Sequence, residues 1–445
     1  MRPSSLLLAA LLIAACAQEN PGTKPPTDRF HFPTSVAVVE TTPGLPGMLY
    51  VVSSNFDLRY NRGTVLAVDL SRFPGVPDGS VADKIDQKNG FVKIDNFAAK
   101  NALYTPAGAT SAGARRMFVP TRFNQLLFAL DLDGPVINCF GTKGPVAGRD
   151  CLEAGISLVQ SETIRAEDPF GVVVQGRDVY VSHLRAVADP PITASTANSP
   201  RAAFLVHLDA EIPAALDFIN IGSAPADALV AAPSGIYFTG RVPGSPQSGE
   251  TRPLRRLVGG NTFEDVAVGE STRIKETRGL AVSSDGNRLF LSARTCASNT
   301  CSIASSLLSG LVVVDISPDA ATGGPRNQVV GFTELPRGAS DLAVVARPGQ
   351  RDLVAVSCGD SDTVALYDDD LGQVVALVPG IASPYGIAQG SRSAGGARLF
   401  VASFNNHTVD VVDVPDLTRP RTASVVGRIG VNGLPLGVDA PRGAP

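Results

Sequence analysis

The chain has no tryptophan, four histidines and three methionines among its 445 residues. Four histidines cannot furnish a multi-copper centre, which is built largely from imidazole ligands. None of the six cysteines stands in a Cys-x-x-Cys or Cys-x-x-Cys-His arrangement, which argues against a zinc ribbon and against covalently attached haem. Nucleophile-elbow, phosphate-loop and His-Glu-x-x-His signatures are absent as well. Positive charge is not in surplus: 38 Lys and Arg against 42 Asp and Glu leave a net charge of −4. Without a basic footprint, nucleic acid is not an expected partner. These absences predict no cofactor, no metal and no catalytic residue that sequence can single out. Charged residues make up 18% of the chain beside 44 Gly and 34 Pro, the composition of a folded protein.

What is present begins at the N-terminus. Arg2 precedes residues 6–15 (LLLAALLIAA), an apolar run too short to span a bilayer and typical of a signal peptide. The tetrad Ile13, Ala14, Ala15, Cys16 resembles a bacterial lipobox, with Ile13 where Leu is usual. That resemblance implies cleavage after Ala15 and lipidation of Cys16, and Ala17 in place of Asp points to the outer membrane. The expected organisation is a signal peptide over 1–15, a lipidated Cys16 with flexible tether over 16–32, and one domain over 33–445. Three prolines and almost nothing apolar in residues 17–29 suit a tether. Acyl chains give stable anchoring at ~0.8 kcal/mol per buried methylene. Membrane contact is therefore expected through the lipid anchor only, on the periplasmic side or the cell surface.

An exported chain meets an oxidising compartment, so disulfides are expected. Proximity favours Cys139–Cys151 and Cys296–Cys301, leaving Cys358 over, although spacing alone does not fix connectivity.

The body is repetitive. An opening run of a Pro, small or polar residue, then Gly, Asp or Ser two places on, then apolar residues, recurs seven times. The copies start at Pro33, Pro106, Pro169, Pro225, Thr277, Ala339 and Pro384. A β-branched second strand follows in every copy, from LYVVS (49–53) to LFVAS (399–403). A third follows in six, such as TVLAVDL (64–70) and TVDVVDV (408–414). Five of these share an Asp at one register position (Asp69, Asp131, Asp209, Asp368, Asp413), read as acceptors for N–H groups of the next turn. In the fourth copy the segment 255–259 (RRLVG) lacks that Asp and its third strand is left open. Four strands per unit at this period predict an all-β, seven-bladed β-propeller of four-stranded antiparallel blades. Residues 435–438 (PLGV) look like an eighth opening run that packs where the ring closes.

At YVVS, FVPT, YVSH and FVAS, each followed by a TV-x-x-VD-like strand, the chain resembles the YVTN-repeat, surface-layer-like and lactonase-like propellers over residues 33–429. The resemblance implies the fold and says little of activity. Propellers that hold a quinone cofactor lean on tryptophan, and this chain has none.

In such a ring the loop entering the first strand and the loop between the second and third share one face. Long insertions (54–63, 184–203, 241–253, 294–310) fall in that second loop, which predicts a ligand face there. The candidate residues are Arg122, Arg185, Arg241 and Arg294 for carboxylates or phosphates, and His183 as a base or ligand. Asp360, Asp362, Asn405, Asn406 and His407 stand on the opposite arc, where calcium is the alternative. The alternatives are arginines paired to loop acids such as Asp57 or Asp168, a satisfied loop histidine, and a buried free thiol at Cys358. The function expected is a cell-envelope binding or scaffold module for a protein or glycan partner. A lactonase-like hydrolase with its site at the channel mouth, and a structural calcium-binding propeller, are the alternatives.

Overall fold

The computed structural model describes residues 23–430 except 43, 110, 142–148, 189–200, 215, 241–253, 269–273, 297–306 and 393–394. The signal segment, Cys16, Arg241, Cys301 and residues 435–438 lie outside the described residues.

Seven antiparallel sheets, each with its four main strands in chain order, follow one another along the sequence. Blade 1 comprises Pro33–Val39, Met48–Ser53, Gly63–Asp69 and Phe91–Ile94, and blade 2 Ala102–Tyr104, Arg115–Thr121, Leu126–Asp133 and Val136–Cys139. Blade 3 comprises Glu167–Gln175, Asp178–Arg185, Phe204–Asp209 and Asp217–Asn220, and blade 4 Ala226–Ala232, Gly235–Gly240, Leu254–Gly259 and Thr262–Asp265. Blade 5 comprises Ile274–Val282, Arg288–Cys296, Leu307–Asp315 and Gln328–Leu335. Blades 6 and 7 run through Ala339–Val345, Leu353–Cys358, Thr363–Asp368, Gln373–Pro379, then Pro384–Ser391, Ala397–Ser403, Thr408–Val414, Ser424–Ile429. Two short pieces are added, Ile156–Ser157 beside the third strand of blade 2 and a small hairpin Val187–Ala188/Arg201–Ala202 after blade 3. The chain is a seven-bladed β-propeller.

The ring follows from how the apolar residues are divided. Middle strands such as Met48–Ser53 and Thr408–Val414 are buried at every position, on both faces. A lone four-stranded sheet cannot cover both faces, whereas a ring covers each with a neighbour. Along Met48–Ser53, Tyr50 and Val52 join Met117 and Val119 of blade 2, while Leu49 and Val51 join Phe400 and Val411 of blade 7. Among the described residues seven apolar clusters are present, one at each blade junction. The outermost strand returns to the half-buried rule, with Gln328–Leu335 alternating exposed and part-buried.

The innermost strands approach closely, and glycine permits it. A Cβ on Gly171, Gly279 or Gly386 would collide with the backbone of the next blade, at Asp227, Ser340 and Thr34 respectively. At two of these junctions a second-strand hydroxyl ties the strands together. Ser182 accepts from Gly171 N at 3.0 Å and donates to Asp227 O at 2.6 Å. Ser292 accepts from Gly279 N at 2.8 Å and donates to Ser340 O at 2.6 Å. The Ser of the YVSH-type motif is therefore a clip between blades.

Ring closure brings residues 350 or more positions apart together without exchanging a strand. Ser391 N donates to Glu40 (2.6 Å), Arg428 N to Asp78 (2.8 Å), and Phe32 N to His407 Nδ1 (2.9 Å).

Three sequence expectations need correction or completion. The opening run of blade 2 is not at Pro106. Its innermost strand is the short Ala102–Tyr104, and Asn101 bonds Ser35 of blade 1 through side chain (2.5 Å) and backbone (3.2 Å). Pro106 lies in the turn beyond. The third strand of blade 4 does form, as Leu254–Gly259. Arg255, fully buried there, donates to the carbonyls of Ile221 (2.7 Å) and Ala224 (2.8 Å) and sits 4.6 Å over the Phe238 ring. The shared aspartates cap turns in blades 1, 3 and 6, accepting from Ser71 N, Glu211 N and Asp370 N at 3.0, 2.7 and 2.9 Å. In blades 2 and 7 they hold arginines instead, Arg116–Asp131 and Arg398–Asp413, both at 2.7 Å.

The Cys139–Cys151 disulfide is formed, with Cα atoms 5.5 Å apart. It stitches the segment after blade 2 onto that blade's outermost strand, and Cys151 N reaches blade 1 by donating to Lys93 O at 2.9 Å. The expected Cys296–Cys301 pairing involves a residue outside the described set.

Candidate functional site

Loops entering the first strand and loops joining the second to the third meet around one mouth of the channel. They are fastened by a relay of backbone bonds: Ser54 N to Phe32 O (3.0 Å), Phe97 N to Ser54 O (2.7 Å) and Arg122 N to Phe97 O (3.3 Å). On the far arc Gly359 N donates to Gly338 O (3.0 Å) and Phe404 N to Ser383 O (3.2 Å). At three blade entries the residue before proline takes left-handed backbone, Phe32 (φ 50°), Asp168 (57°) and Ser383 (49°). Residues other than glycine adopt this region at a cost of order 1–3 kcal/mol, and tolerate it where the surroundings enforce it, which is common near functional sites.

The mouth opens on a cavity of ≈ 270 Å³ whose wall includes Phe56, Phe97, Phe170, Tyr385 and Phe404 together with Arg122, Arg278, Arg294 and Asp360. An adjoining space of ≈ 360 Å³ shares Phe56, Arg122, Phe170, Arg278 and Tyr385 with it and adds Lys100, Asp227 and Asp341. Aromatic rings form an arc across blades 7, 1 and 2. Phe404 lies 5.5 Å from Phe56, Phe56 5.8 Å from Phe97, and Phe97 6.2 Å from Phe123, measured between ring centroids. Phe56 and Phe123 are 53% and 54% exposed, so half of each ring is offered to solvent.

Below the arc the charges interlock. Lys100 of blade 2 reaches across the channel to Asp341 of blade 6 at 3.0 Å. Tyr385 stands within the channel, and burial, with Asp227 beside it, holds its phenol protonated well above the usual range.

The structure gathers some of the predicted site residues here and disperses others. Arg122, Arg294 and Asp360 line the cavity. Arg122 lies 3.6 Å from Asp168, and Arg294 lies 3.7 Å from Asp360. Arg185 points outward, 68% exposed, and pairs with the same Asp168 at 2.9 Å. His183 is fully buried: its Nε2 accepts from Phe204 N (2.7 Å) and its Nδ1 donates to Arg185 O (2.5 Å). That pattern fixes the neutral Nδ1–H tautomer, and burial lowers its pKa to about 4. His407 holds the ring seam, accepting from Phe32 N and stacking on His31 at 5.0 Å. Asn405 and Asn406 occupy the adjoining turn, Asn405 exposed. Arg241 lies outside the described residues. Cys358 is buried, and burial pushes its thiol up to about 12. Among the described residues no group of three or more His, Cys, Asp or Glu is arranged to hold a metal ion.

Sequence reasoning passed over Phe56, Phe97, Phe170, Phe404, Tyr385, Lys100 and Arg278. Part of the signal was visible. Phe170, Arg278, Ser340 and Tyr385 all occupy the place one after the opening residue of their runs, the column that faces the channel. Lys100 was hidden by the misplaced start of blade 2.

No family model matches the chain, and no curated protein matches it in sequence. Solved structures do. Hydrazine synthase of Kuenenia stuttgartiensis is similar at 13% identity and a TM-score of 0.52, over 89% of this chain and 98% of that one. The β-propeller domain of Cps50 (Swd1) from Myceliophteria thermophila aligns at 12% identity and 0.48, over 88% and 99%. The dihydro-heme d1 dehydrogenase NirN aligns at 14% and 0.45, over 94% and 73%. At 13% identity the likeness to hydrazine synthase is one of fold alone.

Proposed function

We propose that this protein is an exported, lipid-anchored propeller of the YVTN-repeat type that serves as a binding module at the bacterial cell envelope, engaging a protein or glycan partner through its channel mouth. The observation that carries this reading is the mouth itself, a cavity walled by five aromatic rings and three arginines on a rigid ring. Half-exposed aromatics beside arginines are the residues that anchor most interfaces. Binding is favoured over lactone hydrolysis because His183, the histidine read as a candidate base, has both nitrogens engaged and is held neutral by burial. A calcium site on the far arc is disfavoured because Asp362 already accepts from Ser383 N at 2.8 Å and His407 closes the ring.

The tether fits this reading. Thr23 pairs with Tyr60, and Asn61 N donates to Thr23 O at 3.0 Å, on the loop that carries Phe56. Only residues 17–22 separate Cys16 from Thr23, a reach of at most about 25 Å. Lipidation at Cys16 would hold the mouth close to the outer membrane, turned toward whatever lies beside it.

The test is saturable binding of the purified protein to isolated envelope fractions, compared with a Phe56→Ala/Phe404→Ala variant. The expected result is capture of a defined component that the variant loses, with fatty-acid labelling abolished by Cys16→Ala. Equal capture by both proteins, or lactone turnover by the wild type, would refute the reading.

A further inference from the structure

We propose that the channel cavity takes a carboxylate carried on an aromatic group, the anion held by Arg122 and the ring seated against Phe56 and Phe404. This deepens the binding reading and rests on it only in placing the ligand at the mouth.

Arg122 differs from the arginines that build the fold. Arg116, Arg288, Arg347, Arg398 and Arg428 are clamped to carboxylates at 2.7, 2.8, 2.8, 2.7 and 2.6 Å, full charge-assisted hydrogen bonds. Arg122 approaches Asp168 at 3.6 Å, beyond hydrogen-bonding distance, and Asp168 is engaged more closely by Arg185 at 2.9 Å. That 3.6 Å is measured from Nε, which faces Asp168 without a hydrogen bond, so the guanidinium that borders the cavity is not clamped as those five arginines are. An anion in the cavity would give that guanidinium a closer acceptor than Asp168 does. A guanidinium is a planar fork of donors that matches a carboxylate bidentately.

The rest of the wall specifies what carries the anion. Arg122 borders both the ≈ 270 Å³ and the ≈ 360 Å³ spaces, and so do Phe56, Phe170 and Tyr385, so the cation sits among flat apolar faces. Phe56 and Phe404 meet edge to face at 5.5 Å, an arrangement that a third ring extends. The protonated Tyr385 phenol adds a neutral donor that an anion accepts without repulsion. Within the channel Lys100 and Asp341 satisfy one another at 3.0 Å, so the channel floor adds no net charge through this pair.

The experiment is calorimetric titration of the full-length protein in detergent with phenylacetate, and with phenylacetamide and acetate as probes lacking the charge or the ring. Phenylacetate is expected to bind saturably and at least tenfold more tightly than either control. Arg122→Gln should cost at least tenfold in phenylacetate affinity with no change in the amide's, Arg122→Lys less. Phe56→Ala, which removes a half-exposed ring, should weaken phenylacetate but leave acetate unchanged. Equal binding of amide and carboxylate by the wild type would overturn the anion assignment, whether or not any variant folds. Equal binding of acetate and phenylacetate would overturn the aromatic one. If envelope capture depends on Phe56 while no aryl carboxylate binds, the inference falls and the binding reading stands. If phenylacetate binds but no envelope component is captured, the reverse holds.

Discussion

The close packing of innermost strands makes Gly279 a sharp test of the ring. A Cβ built there would press on Ser340 O and on Leu342 of blade 6, and would stand 2.9 Å from Ser292 Oγ. Gly279 has ordinary negative-φ backbone, so the penalty of Gly279→Ala comes from space and not from conformation. Overpacking against backbone that cannot swing away costs about 1–3 kcal/mol. Pushing the strands apart also lengthens Gly279 N to Ser292 Oγ (2.8 Å) and Ser292 Oγ to Ser340 O (2.6 Å), at roughly 1 kcal/mol each. The expected loss is therefore about 3–5 kcal/mol. Gly108→Ala is the control, because a Cβ there meets nothing within 4 Å. It should be neutral or slightly stabilising. Guanidinium unfolding midpoints of wild type, G279A, G108A, Ser292→Ala and the G279A/S292A double variant would measure both the cost and the coupling between the two residues. Additive effects, or a G279A midpoint equal to that of G108A, would mean that blades 5 and 6 do not meet through this clip.

Removing the Cys139–Cys151 bond by double substitution to Ala frees a loop with a sequence separation of 12 and should cost about 3 kcal/mol. Reductant should then lower the wild-type unfolding midpoint and leave the variant's unchanged. His183 gives a pH signature. Its folded pKa of about 4 lies below the unfolded value near 6.5, so protons favour the unfolded chain. The stability is present at neutral pH and is lost as pH falls from about 6.5 toward 4, by about 3 kcal/mol at most. His183→Gln, less stable at pH 7, should show a shallower decline between pH 7 and pH 5, and parallel declines would refute the assignment.

The fold was legible because its signal is carried seven times. Apolar runs too continuous for a half-buried sheet recur at blade-length spacing, and runs buried on both faces demand neighbours on both sides. The YVSH-type hydroxyl, visible only as a motif, became a clip once Ser182 and Ser292 met the next blade's carbonyls. Where a repeat departed from pattern, legibility failed locally. Blade 2 uses Lys100 and Asn101 where other blades use Pro, Gly or Asp, and a proline-glycine turn downstream imitated the missing start. Arg255 broke the pattern of blade 4 because a fully buried guanidinium can replace an apolar residue when backbone carbonyls and Phe238 surround it.

The sequence by itself determined the blade number and the strand order, since these depend on periodicity and chain direction. Proximity favoured Cys139–Cys151 while spacing left the connectivity open, and the structure closed that bond. Which side chains share the channel was decided by the closed ring alone. Lys100 and Asp341 stand 241 positions apart and pair across the axis, and Phe404 meets Phe56 over the seam between the last blade and the first. His183, read from the sequence as a candidate base, is withdrawn into the protein by two backbone hydrogen bonds, while Arg122 borders the cavity and comes no closer than 3.6 Å to Asp168. Such differences follow from the three-dimensional neighbourhood of each group, because hydrogen-bond satisfaction and burial are properties of packing and leave no trace in local sequence.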